Sequence, residues 1–150
     1  MIAVIQRVKE ASVKIDGLVH GSCGEGLMIL LGVAQGDTEE DAMLLSAKIS
    51  KLRIFSDGDD KKNLSVKDID GEALIISNFT LLANYKKGNR PEFLNAAPPA
   101  EADRLYNFFV GLMKQELRRV ETGVFGAHME VSLVNNGPVT IVMDSKVLKK

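Results

Sequence analysis

The chain has 150 residues, of which 45% are hydrophobic and 26% are charged, which is typical of one cored domain. Its 19 basic and 20 acidic residues nearly cancel to a net charge of −1. Attraction to a nucleic acid would therefore need a local basic patch. The single cysteine, Cys23, excludes an intrachain disulfide bond. Without a signal-peptide pattern or an apolar stretch of membrane-spanning length, a cytoplasmic protein with no membrane partner is expected.

The first third of the chain alternates apolar and polar residues, which is the pattern of β-strands. We predict strands over residues 3–8, 11–15, 18–23 and 26–33. Asp16-Gly17 is a strong signal for a two-residue hairpin turn, because both turn positions favour positive φ. Residues 27–31 are apolar on both faces, so this strand is expected to lie in the centre of a sheet.

Apolar residues then recur at the three- to four-residue spacing of a helix. We predict a helix over residues 38–52, capped by Asp37 with Glu40 completing a capping box. A second helix is expected to begin at Pro99 and to end at Gly123. Further strands are predicted at residues 73–76, 129–135 and 139–144. This order favours a single α+β domain over residues 1–150, with mainly antiparallel strands.

Common cofactor and metal motifs do not match this sequence. The glycines of residues 21–26 do not form the GxGxxG pattern of a dinucleotide-binding loop. His20 and His128 lack cysteine or carboxylate neighbours at metal-ligand spacing, and residues 57–60 favour a solvated turn over a calcium loop. Cys23 is interpreted as a small apolar residue of a strand rather than as a nucleophile. We therefore expect no metal and no organic cofactor.

Two short stretches are candidates for function. The first is SNFTL at residues 77–81, directly after the strand predicted at 73–76. Hydroxyl and backbone N–H groups at the end of a strand can line a pocket. The same residues also suit the ordinary end of a strand, and the stretch alone does not decide between these interpretations.

The second stretch is NNGP at residues 135–138, which interrupts a two-residue apolar rhythm. A proline inside a strand pattern removes a ladder hydrogen bond, so the local pattern favours a hairpin turn between two strands. The alternative is a cis Gly137–Pro138 peptide, which costs only about 0.5–1 kcal/mol at an X-Pro bond. Successive carbonyls would then point in much the same direction and could receive an ammonium group.

With their surroundings, these stretches resemble the D-aminoacyl-tRNA deacylases of the D-tyrosyl-tRNA deacylase family. The resemblance covers essentially the whole chain and rests on MIAVIQRV, GLMILLGV, SNFTL, KKGNRPEF and TGVFGAHMEVSLVNNGPVT, in the family's order and spacing. It implies two packed, mainly antiparallel β-sheets with two helices on one face, and a homodimer. It also implies hydrolysis of the ester bond of D-aminoacyl-tRNA, and of glycyl-tRNA mischarged on tRNA-Ala.

The resemblance implies that one half of the active site comes from the other subunit. Gly137, Pro138 and Val139 belong to a Gly-cisPro motif that reaches across the dimer and faces the α-amino group of the substrate. An L side chain would then collide with the Gly-Pro carbonyls, whereas a D side chain or glycine would not. Arg7 resembles the arginine that braces this motif; an exposed strand charge is the alternative interpretation.

The SNFTL stretch resembles the other half of that site. Backbone N–H groups near Phe79 and Thr80 would stabilise the oxyanion, and Ser77 and Thr80 carry hydroxyl groups. No base is evident beside Thr80, so attack by water, assisted by the 2′-hydroxyl of the terminal adenosine, is preferred over a Thr80 nucleophile. The family's usual SQFTL has Asn78 here in place of glutamine, which shortens the reach of the amide toward the adenosine.

Some alternatives stay open on the sequence alone. The basic segment at residues 86–90 either contacts tRNA phosphates or forms a solvated loop. A generic small-ester hydrolase that uses Thr80 or Ser77 as nucleophile is one rival function. A non-catalytic dimer that binds RNA or protein is another.

Overall fold

The computed structural model describes residues 1–59 and 61–150; Asp60, in the turn predicted at 57–60, lies outside the described residues. The strands are β1 (Ile2–Ile15), β2 (Leu18–Cys23), β3 (Gly26–Gly32), β4 (Phe55–Ser56), β5 (Lys62–Leu64), β6 (Glu72–Ser77), β7 (Val120–Thr122) and β8 (Glu130–Asp144). The helices are α1 (Glu39–Lys51), α2 (Pro99–Glu116), α3 (Ser145–Leu148) and a 3-10 helix (Phe79–Leu82). The predicted α+β class is confirmed. None of the described helices combines the length and apolar character that a membrane crossing requires.

Strand β1 organises the sheet because it is long enough to pair with three other strands. Its first half pairs antiparallel with β3, its second half pairs antiparallel with β2, and β8 follows it on the remaining edge. β6 and β7 extend the sheet from β3 in parallel, which gives the order β2-β1-β3-β6-β7. β4 and β5 form a separate two-stranded ribbon, so part of the solvated loop expected near residue 60 is a short hairpin.

The two sheets implied by the resemblance are replaced here by one hydrogen-bonded sheet of six strands that curls on itself. β2 and β7, at opposite ends of the strand order, approach each other. The Ser22 amide donates to Oε1 of Glu121 at 2.8 Å, and a Cβ on Gly21 would lie 2.5 Å from the Thr122 carbonyl oxygen. Because β1 continues through the bend and strands twist naturally, two layers form without a break in the ladder.

Both faces of β3 and β6 are buried, as expected for central strands. Helices α1 and α2 pack on one face, where their apolar stripes meet Ile29 and Ile75 in the larger core. The curled half of the sheet covers the other face, where Val13 and Cys23 pack with Leu74 in a second cluster. The two predicted helices therefore share one face of the sheet.

The N-terminus of α1 differs by one residue from the prediction. Thr38 is the N-cap residue, and its amide donates to Oδ2 of Asp41 at 2.8 Å. Asp37, the predicted cap, instead accepts the Ala34 amide at 2.7 Å, so its carboxylate is engaged by the preceding turn. With Thr38 as the N-cap, the N3 residue of the capping box is Asp41 and not the predicted Glu40.

Local turn signals are confirmed where the chain has no competing partner. Asp16 and Gly17 adopt φ values of 52° and 80° in the hairpin between β1 and β2. Pro99 begins α2, as predicted. Gly123 does not cap α2, because the helix ends at Glu116 and the chain extends to form β7 before that glycine is reached.

Candidate active site

The polar turn after β6 begins where a buried strand of the sheet ends. One residue beyond Ser77, the Asn78 amide still donates to the Leu31 carbonyl of β3 at 2.8 Å, which holds the turn against the sheet. The 3-10 helix then packs over Gly32, where a Cβ would lie 3.0 Å from the Asn78 carbonyl oxygen. A glycine at this point of β3 is what allows the turn to approach so closely.

Asn78 caps the 3-10 helix with its side chain. Its Oδ1 accepts a hydrogen bond from the Thr80 amide at 3.1 Å and another from the Thr80 hydroxyl. The Thr80 amide, which was expected to stabilise an oxyanion, is already engaged by this hydrogen bond. The Asn78 amide group therefore organises its own turn.

Phe79 combines an exposed ring with an unengaged backbone donor. Among the described residues, no acceptor is present for the Phe79 amide. The residue is 56% exposed, and its ring packs edge-to-face against that of Phe93 with centroids 5.0 Å apart. The residue thus offers an N–H group and an aromatic surface at the same point of the turn.

A cavity of about 800 Å³ opens beside this turn. Ser77, Asn78 and Phe79 form one wall. The other walls are mostly apolar and come from the loop before α2, the first turn of α2 and the segment before β8. They include Phe93, Ala97, Ala102, Phe125, His128 and Met129. A large, mainly apolar cavity with a few polar groups on one wall is typical of a small-molecule site.

The NNGP stretch is a bulge within β8 and not a hairpin turn. β8 pairs with β1 on both sides of the interruption, and the register shifts so that residues 136–139 lie opposite the single residue Arg7. The strands predicted at 129–135 and 139–144 are consequently one strand. The Gly137–Pro138 peptide is cis, as in the alternative interpretation.

Arg7 and Asn135 hold this bulge from two sides. Arg7 is only 7% exposed; its Nε donates to the Asn136 carbonyl at 2.8 Å and its guanidinium also donates to the Ile54 carbonyl at 2.6 Å. The Asn135 amide donates to the carbonyls of Arg7 at 3.1 Å and Val139 at 3.0 Å. The interpretation of Arg7 as an exposed strand charge is therefore wrong.

The single chain brings some of the predicted site residues together but not all of them. Ser77, Asn78 and Phe79 line the cavity, and Thr80 is exposed beside them. Gly137 and Pro138 are exposed and do not line this cavity, while Val139 is buried in the larger core. Val139 therefore anchors the bulge through its side chain.

Two segments that line the cavity contain none of the site residues predicted from the sequence. Phe93 lies in the irregular loop before α2, and residues 125–129 precede β8. The signals were present, since an aromatic residue in a long loop and the run VFGAHME both stand out in the sequence. Their convergence on SNFTL depends on tertiary contacts alone.

The described residues offer no evident metal or cysteine chemistry. No group of three or more His, Cys, Asp or Glu side chains with metal-ligating geometry occurs in residues 1–59 and 61–150. Burial and the nearby Glu72 carboxylate raise the pKa of Cys23 to about 11. This thiol is therefore protonated at neutral pH and is a poor nucleophile.

The family model and the curated relatives indicate the same family. Residues 4–144 match the family model described as D-Tyr-tRNA(Tyr) deacylase. A protein named D-aminoacyl-tRNA deacylase from Caldicellulosiruptor saccharolyticus is 58% identical over 146 residues, which cover 97% of this chain and 98% of that protein. A solved structure named c-Myc DNA Unwinding Element Binding Protein has a TM-score of 0.91 at 39% identity, covering 96% of this chain and 98% of that one. A structure titled as a "probable eukaryotic D-amino acid tRNA deacylase" has a TM-score of 0.80 at 15% identity, covering 95% and 98%, and shares the fold.

Proposed function

The chain belongs to the D-Tyr-tRNA(Tyr) deacylase family, and we propose that it hydrolyses the ester bond of D-aminoacyl-tRNA to release a free D-amino acid and tRNA. The structural observation that carries this proposal is the cavity at the end of β6, with the unengaged Phe79 amide at its wall. A backbone donor aimed at an ester carbonyl stabilises the negative charge that develops during hydrolysis. Aminoacyl-tRNA as substrate also accords with the expected cytoplasmic location.

The second part of the proposal concerns how the ester is attacked. The Thr80 hydroxyl donates its only proton to Asn78, so its free lone pairs can only accept hydrogen bonds. A hydroxyl whose proton is already donated can orient the attacking water by accepting a hydrogen bond from it. We assign the attack to water assisted by the 2′-hydroxyl of the terminal adenosine, with the enzyme supplying position. No metal or organic cofactor is required for this route.

The third part concerns chirality and the homodimer. Gly137 and Pro138 are exposed on β8, an edge strand whose outer side has no partner strand among the described residues. In a homodimer, this edge would insert the Gly-Pro carbonyls into the cavity of the second copy and accept hydrogen bonds from the substrate α-ammonium. With the ammonium and the ester both held, an L side chain would collide with the bulge and a D side chain would not.

The same geometry bears on substrates without a side chain. Glycine has no Cβ to collide with the Gly-Pro carbonyls, so glycyl-tRNA mischarged on tRNA-Ala is included in the proposed substrate range. Discrimination would come from exclusion of L side chains rather than from contacts that recognise a particular D side chain. Several D-amino acids should accordingly be accepted.

The test is the release of tyrosine from D-Tyr-tRNA and L-Tyr-tRNA under the same conditions. The proposal expects hydrolysis of the D-ester with the L-ester spared. Equal hydrolysis of both would support a generic ester hydrolase and reject exclusion by the bulge. Hydrolysis of neither would support a non-catalytic binding protein.

The shared site needs a separate measurement. Light scattering should give the mass of a dimer, and mixing Thr80→Val protein with Gly137→Asp protein should restore activity through hybrid dimers that contain one intact site. A monomer, or a mixture no more active than its parts, would reject the contribution of the second copy.

A further inference from the structure

A basic loop projects from the same turn that forms the candidate site. It comprises residues 85–90, with the sequence YKKGNR, and we call it the basic loop. Its base is closed by two backbone hydrogen bonds between Asn84 and Glu92, at 2.8 Å and 3.0 Å. The Lys86 amide also donates to Oδ1 of Asn84 at 3.1 Å, which fixes the direction in which the loop leaves its base.

The cations of this loop are exposed and are not neutralised by the described carboxylates. Lys86, Lys87 and Arg90 are all exposed, and none forms an ion pair within residues 1–59 and 61–150. Arg104 differs, since it pairs with Glu39 and Glu101. Residues 86–90 thus carry three positive charges, although the whole chain has a net charge of −1.

The nearest acidic side chain along the loop does not cancel these charges. Glu92 sits at the base of the loop, where its Oε2 accepts a hydrogen bond from the Leu94 amide at 3.4 Å. Among the described residues, its carboxylate forms no ion pair with Lys86, Lys87 or Arg90. The exposed side chains of Lys86, Lys87 and Arg90 therefore make the surface of the basic loop positively charged.

The position of the loop connects it with the cavity. The chain enters the loop just after the 3-10 helix and returns through Phe93 and Leu94, both of which line the cavity. Tyr85 at the start of the loop is 80% exposed. Exposed cations combined with an aromatic side chain are the usual means of holding single-stranded nucleic acid, through phosphate contacts and base stacking.

We propose that the basic loop binds the backbone phosphates of the single-stranded 3′ end of tRNA. This inference rests on the proposed function, because the ester to be cleaved lies at that end of the tRNA. Lys86, Lys87 and Arg90 contact phosphates, and the ring of Tyr85 stacks on a base. Phosphate contacts carry no sequence preference, so the loop supplies affinity for tRNA in general.

The direct test is binding of uncharged tRNA, which does not require catalysis. Lys86→Ala, Lys87→Ala and Arg90→Ala are combined in one variant, and its affinity is followed against salt concentration. Each contact to a single-stranded phosphate contributes about 0.7 to the slope of log affinity against log salt concentration. Loss of the three contacts should therefore reduce this slope by about 2. Between 50 and 200 mM salt, the wild-type affinity should therefore drop about 20-fold more than that of the variant.

Two controls identify the occupant. A triple variant with the same charge change, Lys48→Ala, Lys51→Ala and Lys114→Ala, removes exposed cations of the helices and should keep the wild-type salt slope. A tRNA that lacks its four 3′-terminal nucleotides should bind wild-type and loop variant equally. An unchanged slope in the loop variant, or a difference that persists with the shortened tRNA, would overturn the proposal.

An assay of D-Tyr-tRNA deacylation by the wild-type protein distinguishes failure of this inference from failure of the proposed hydrolase function. Loop-dependent binding of tRNA without deacylation would reject the hydrolase and leave the RNA surface standing. Deacylation with binding that is independent of the loop would reject the RNA surface alone.

Discussion

The hydroxyl of Thr80 donates a hydrogen bond to Oδ1 of Asn78, and that same oxygen also accepts the Thr80 amide at 3.1 Å. The Thr80 backbone N–H can only donate a hydrogen bond, so the Asn78 side-chain atom that faces it must be the oxygen and not the nitrogen. That oxygen can only accept, so the Thr80 hydroxyl must be the donor. These two hydrogen bonds together determine the direction of the Thr80 hydroxyl proton.

This orientation has a chemical consequence for Thr80. A nucleophilic hydroxyl must transfer its proton to a base, and an amide carbonyl is too weak a base for that role. With its proton donated to Asn78, the hydroxyl can take part in further hydrogen bonds only as an acceptor. We expect Thr80 to position a donor on the water or the substrate, and not to form a covalent intermediate.

The first prediction concerns the Thr80 hydroxyl. Thr80→Val keeps the shape of the side chain but removes the acceptor, so kcat for D-Tyr-tRNA should fall about 10-fold, as expected for one lost hydrogen bond. Thr80→Ser keeps the hydroxyl and should retain most of the activity. Steady-state kinetics and thermal unfolding of both variants measure this, and wild-type turnover in Thr80→Val would exclude Thr80 from the site.

The second prediction concerns the coupling between Asn78 and Thr80. Asn78→Ala removes the cap and should lower the free energy of unfolding by about 1 kcal/mol while also lowering kcat. If Asn78 acts by orienting Thr80, the Asn78→Ala/Thr80→Val double variant should lose no more kcat than the worse single variant. Fully additive losses in this cycle would show that the two side chains act independently.

The third prediction concerns Arg7, which donates to two buried or half-buried carbonyls. Arg7→Met leaves the carbonyls of Asn136 and Ile54 without these donors, so the free energy of unfolding should fall by about 3 kcal/mol. The bulge should loosen and the preference for D- over L-substrate should decrease. Urea unfolding and the ratio of D- to L-deacylation measure the two effects.

Arg53 provides the matched control for Arg7. It is exposed and donates to Asn63 at 3.3 Å, so Arg53→Met should change the free energy of unfolding by less than about 0.5 kcal/mol. An Arg7→Met protein as stable and as selective as Arg53→Met would contradict the bracing role of Arg7.

The fourth prediction concerns stability in acid. Burial alone would raise the pKa of Asp41, but hydrogen bonds from Ser145, the Thr38 amide and Lys149 outweigh it and lower the pKa from its usual 3.8 to about 2. The unfolded chain therefore binds a proton at higher pH than the folded chain does. The contribution of Asp41 is fully present above about pH 4 and is lost as the pH falls toward 2.

The measurement for Asp41 is urea unfolding between pH 5 and pH 2. Above pH 4, Asp41→Asn should be less stable than the wild type by about 1–2 kcal/mol, and this gap should narrow as the pH falls. Asp16→Asn, at an exposed turn residue, serves as control and should show no such narrowing. If the difference in free energy of unfolding between the wild type and Asp41→Asn stayed constant from pH 5 to pH 2, the ionisation of Asp41 would be excluded as its source.

Local signals in the sequence predicted those elements whose partners lie close along the chain. The Asp16-Gly17 turn follows from the ease with which both residues adopt positive φ, and the start of α2 follows from Pro99. The SNFTL stretch was recognised as a candidate site because polar residues follow a buried strand. Asp37 shows the limit of such reasoning, since its carboxylate bonds to the preceding turn and leaves Thr38 as the cap.

By itself, the sequence determined the α+β class, the periodicity of most elements and the family to which the chain belongs, because these depend on local preference and on residue order. Only the tertiary structure decided that NNGP is a bulge. β1 extends past the interruption on both sides, so the ladder of β8 resumes after it, with Arg7 inserted against the extra residues. The curl of the sheet and the meeting of Ser77–Phe79 with Phe93 and residues 125–129 likewise depend on contacts between distant segments, which no local pattern encodes.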